Sequence, residues 1–73
     1  VENELLDQAV VSYVSGSYAV RKAVMTALKK YIAGNEQHAF MLCRVVEPLK
    51  ASSNEQAKSL VEWVTQEVSL NFS

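Results

Sequence analysis

His38 and Cys43 are the only side chains in this sequence that could serve as a nucleophile or as a soft metal ligand. On a helix five residues correspond to a rotation of about 140°, so the imidazole and the thiol point to different sides and share no site. One histidine and one cysteine cannot close a tetrahedral metal shell, and no acidic residues recur beside them at ligand spacing. A phosphorelay histidine would need an exposed mid-helix position with cations nearby, whereas His38 falls in a first helical turn. The residues therefore carry no catalytic set and no metal, and no cofactor is expected. The chain does not read as an enzyme.

The elements that hold these residues follow from apolar spacing. Leu5, Leu6, Ala9, Val10, Tyr13 and Val14 recur at intervals of three and four, which predicts a helix over about 2–14. Glu2, Glu4 and Asp7 place carboxylates at its positive end. Ser15, Gly16 and Ser17 interrupt the pattern. A second helix over about 18–33 would face Val20, Val24, Ala27, Leu28 and Tyr31 to the core, with Gly34 as its left-handed stop. Asn35 can cap a third helix over about 36–47 that is apolar nearly all round, from Ala39 to Val46. Such a helix is either central in its bundle or half covered by another molecule. Pro48 ends or kinks it. Ser52 with Glu55, or Ser53 with Gln56, offers a capping box for a fourth helix over about 54–70, with Ala57, Leu60, Val61, Val64 and Val68 on one face. The short connections predict an all-α fold, a compact bundle of four short antiparallel helices in one domain spanning 1–73.

Composition agrees with a folded chain: hydrophobic residues make up 49% of 73, with two glycines and one proline. A chain of this length buries only about 60% of its unfolded surface, so a partner or a second copy would add needed stability. A single cysteine permits no internal disulfide, which favours a reducing, intracellular and cytoplasmic setting. No apolar run approaches the roughly 20 residues of a membrane helix, so no membrane partner is expected.

Charge is uneven. Residues 1–17 sum to −3, 18–34 to +4 and 35–73 to −2, for a total of −1. Arg21, Lys22, Lys29 and Lys30 share one half of the second helix and form the candidate nucleic-acid-binding stripe. Ser17, Tyr18 and Arg21, in the order Ser-Tyr-x-x-Arg, resemble the base-reading positions of a Pumilio-type RNA-binding repeat. One period of about 36 residues later stand Ser53, Asn54 and Ala57, which depart from that pattern, so no family membership follows. Apolar residues left over from the core stripes form the other candidate. Trp63 and Leu70 lie on one flank of the fourth helix beside Leu60, and Met25 and Ile32 lie off the main stripe of the second. These five are the expected protein-binding residues, and a groove of that composition suits a protein partner or a homodimer. The leading expectation is a non-enzymatic, regulatory or adaptor-like interaction module, and the alternative is a nucleic-acid-binding domain.

Overall fold

Helix α1 spans Glu2–Ser15, α2 Tyr18–Ile32, α3 Glu36–Val46 and α4 Glu55–Phe72, with a five-residue 3-10 turn over Glu47–Ala51 between α3 and α4. This computed structural model describes residues 2–72; the expected domain limits Val1 and Ser73, and the side chain of the expected first-turn acid Glu2, lie outside what is described. Among the described residues there is no strand, and the all-α bundle is as expected. The Cα radius of gyration is 11.2 Å, the roughly 11 Å expected for a compact chain of this length. Helices α1 and α3 each pack against all the other helices, whereas α2 and α4 do not pack along one another.

Local chemistry fixes the joints. Ser17 caps α2 through Val20 N–H, and Asn35 caps α3 through His38 N–H at 3.0 Å. Gly34 adopts φ +66°, the left-handed conformation that ends α2 without a Cβ penalty. The cap of α4 differs from expectation. Asn54, not Ser52 or Ser53, accepts from Gln56 N–H at 2.8 Å and Ala57 N–H at 3.2 Å. Ser52 instead accepts from Asn54 N–H at 3.0 Å and holds the capping residue in place. Pro48 does not simply stop the chain: it occupies the first turn of the 3-10 segment, where its missing N–H costs nothing.

The buried core is Leu6, Val10 and Tyr13 from α1, Leu28 and Ile32 from α2, Ala39, Leu42 and Val46 from α3, and Ala57, Leu60 and Val64 from α4. Helix α2 is turned relative to the expected stripe. Its buried line runs through Leu28 and Ile32, while Val20 and Ala27 face outward. Leu5, expected in the core, is 68% exposed because it lies at the edge of the α1 stripe.

Gly16 has a steric role at the α1–α2 joint. A Cβ there would overlap the Ser12 carbonyl oxygen and come within 2.7 Å of Val20 Cγ1. Gly16→Ala should therefore cost about 1–3 kcal/mol through displaced backbone, lowering Tm by roughly 4–8 °C per kcal/mol in a chain this small. A thermal melt unchanged from the parent would show that the joint relaxes freely.

Candidate protein-binding surface

The two chemistry-bearing residues serve the fold. The His38 ring stacks on Tyr31, with centroids 4.1 Å apart and planes 6° from parallel. Its Nδ1–H donates to the Tyr31 carbonyl at 2.9 Å, which satisfies one of the last carbonyls of α2 and assigns the proton to Nδ1. Tyr31 Oη in turn donates to Met41 Sδ at 3.9 Å. His38 is thus a clasp between the end of α2 and the start of α3. Cys43 is partly buried, and desolvation raises its thiol pKa above the ordinary value despite the lowering effect of Lys50. Little thiolate exists at neutral pH, so it is a poor nucleophile. Among the described residues no three His, Cys, Asp or Glu side chains converge on a common point.

The five expected protein-binding residues separate. Leu60 and Ile32 are both at 0% exposure. They are core residues, a correction that follows from the turn of α2 and from Leu60 lying between Ala57 and Val64 on the buried line of α4. Met25 is partly buried against the core. Trp63 is likewise half-buried, with its inner edge on the core, and Leu70 is 79% exposed, the most exposed large apolar side chain described. Trp63 and Leu70 do share a flank. At 100° per residue, Gln56, Ser59, Trp63, Gln66 and Leu70 form one stripe along α4 without a single charge. A shallow depression beside Leu70 is lined by Thr65, Gln66 and Ser69.

The basic stripe is smaller than the sequence implied. Arg21 is half-buried, and its Nη1 donates to the Gly16 carbonyl at 3.0 Å. Lys29 and Lys30 stand in the last turn of α2, where cations offset the negative end of the helix dipole. Lys22, Lys29 and Lys30 remain exposed. Tyr18 is exposed too, with Arg21 and Lys22 lying 5.8 and 5.9 Å from its ring centroid. Of the Ser-Tyr-x-x-Arg residues, Ser17 and Arg21 are occupied in closing the α1–α2 joint.

No protein-family model, curated protein or solved structure matches this chain. Geometry alone therefore assigns its surfaces. Sequence reasoning missed one of them. Phe40, on α3, is 63% exposed beside a cleft that Cys43, Arg44 and Glu47 complete. Arg44 also borders a second cleft, with Asp7, Met41 and Val45, where α1 meets α3. The sequence signal was the all-round apolarity of α3, which left open which face the core would take. Among the described residues no helix is long and apolar enough to cross a membrane.

Proposed function

We propose that this chain is a non-enzymatic protein-interaction domain that acts by burying the uncharged flank of α4, centred on Trp63 and Leu70, against an apolar surface of a protein partner. The carrying observation is the exposure of Leu70 on a stripe whose other members, Gln56, Ser59 and Gln66, bear no charge. Desolvating such a stripe costs far less than desolvating ions, and a half-buried tryptophan is a typical anchor of interface energy. The free Cys43 thiol is compatible with a cytoplasmic role as an adaptor or regulator.

The test uses Leu70 rather than Trp63, because truncating Trp63 also disturbs the core it touches. A partner cross-linked from a photoreactive residue at position 70 should bind the parent chain and lose at least about tenfold in affinity to Leu70→Glu, equivalent to about 1.4 kcal/mol. Helicity and melting of that variant should match the parent. Undiminished binding by a folded Leu70→Glu chain would sink the reading.

The lesser reading, nucleic-acid binding through Lys22, Lys29 and Lys30, draws on the exposed Tyr18 ring beside two cations. It requires salt-sensitive binding that Lys29→Glu with Lys30→Glu removes.

A further inference from the structure

We infer that the outer face of α3 is a self-association surface on which a second copy of this chain lays its own α3 antiparallel across a two-fold axis. This goes beyond the α4 reading and uses none of its residues. At 100° per residue, Glu36, Phe40, Cys43, Arg44 and Glu47 fall within an arc of about 100° on the side of α3 opposite buried Leu42. Phe40 is the large apolar residue of that face, and the cleft beside it is bounded by Cys43, Arg44 and Glu47.

The charges along this face select the occupant and its direction. Its amino-terminal end carries Glu36, while its carboxy-terminal end carries Arg44 and, beyond the helix, Lys50. A parallel pairing of two copies would set Glu36 on Glu36 and Arg44 on Arg44. Antiparallel pairing sets each Glu36 near Arg44 and Lys50 of the other copy. It also aligns opposed helix dipoles. Glu47, which then approaches the other copy's Glu36, is held by its own Lys50 at 3.1 Å. Arg44 already lies 6.0 Å from the Phe40 ring centroid, and two-fold symmetry would bring each Arg44 over the other copy's Phe40 as well, a cation–π contact made twice. An eleven-residue helix offers a small contact area, so the dimer should be weak and concentration-dependent.

Sedimentation equilibrium on the full chain, from low micromolar to near millimolar, tests this. The parent should show a reversible monomer–dimer equilibrium. Glu36→Arg and Arg44→Glu should each weaken it by about fivefold, as expected when exposed ion pairs become repulsive. The double variant should recover the parent affinity, a rescue that a general loss of stability cannot produce. Phe40→Glu, and the gentler Phe40→Gln, should be monomeric while keeping the parent's helicity. A parent that is monomeric throughout, a double variant that fails to recover, or a folded Phe40→Glu chain that still dimerises overturns the inference. Leu70→Glu should leave the dimer intact; a dimer that it dissolves belongs to the α4 flank and overturns this inference while sparing the α4 reading.

Discussion

Leu42→Ala should remove about 2–5 kcal/mol of folding free energy, the range for truncating a large side chain in a packed interior. Leu42 has no exposed surface and sits on the helix that contacts every other helix of the bundle. A neighbouring side chain could refill the space only by giving up its own packing. With stability of roughly 0.05–0.15 kcal/mol per residue, a chain of this size has about 4–11 kcal/mol in total, so the variant could retain little cooperative structure at 25 °C. Urea denaturation of parent and variant measures the difference. A loss below about 1 kcal/mol would mean that α3 is peripheral and that the packing order described here is wrong.

Ile32→Ala should cost a similar amount, again about 2–5 kcal/mol, and it discriminates between two assignments of the same residue. Counted from the apolar stripe of α2, Ile32 belongs to a leftover surface. In the fold it is fully buried one residue before the Ala33–Gly34 stop, and its carbonyl accepts from Asn35 N–H at 3.0 Å. Truncation there opens a cavity beneath the α2–α3 joint that His38 and Tyr31 clasp from outside. The core assignment predicts a fall in the denaturation midpoint at every protein concentration. A variant that melts like the parent but changes its association would return Ile32 to the surface.

The four helices, their order and three of their ends were legible because glycine, asparagine and serine stand where the backbone needs a left-handed residue or a side-chain acceptor. Gly34, Asn35 and Ser17 are instances. The α4 start was less so, since Ser52, Ser53 and Asn54 are all competent caps, and only the path of the 3-10 turn selects among them. The facing of α2 was misjudged for a physical reason. Alanines at 19, 23 and 27 together with Val20, Val24, Met25, Leu28, Tyr31 and Ile32 cover more than half its circumference, so periodicity defines the width of the stripe but not its centre. Neighbouring helices settle that. The same ambiguity hid Phe40. Arg21 was taken for a surface cation because nothing local announces that the Gly16 carbonyl, at the joint, needs a donor. On α4 the alternation was sharper, and the flank carrying Trp63 and Leu70 emerged intact although Leu60 did not belong to it.

The central claim, that this domain works through an uncharged apolar helix flank rather than through its lysines, is tested most directly by mapping backbone-amide chemical shifts of the labelled chain as a cross-linked partner is titrated in. The account predicts shifts concentrated at Gln56, Ser59, Gln66 and Leu70 and at the indole N–H of Trp63, with Lys22, Lys29 and Lys30 unmoved. Shifts concentrated on those lysines, with the α4 flank silent, would contradict it.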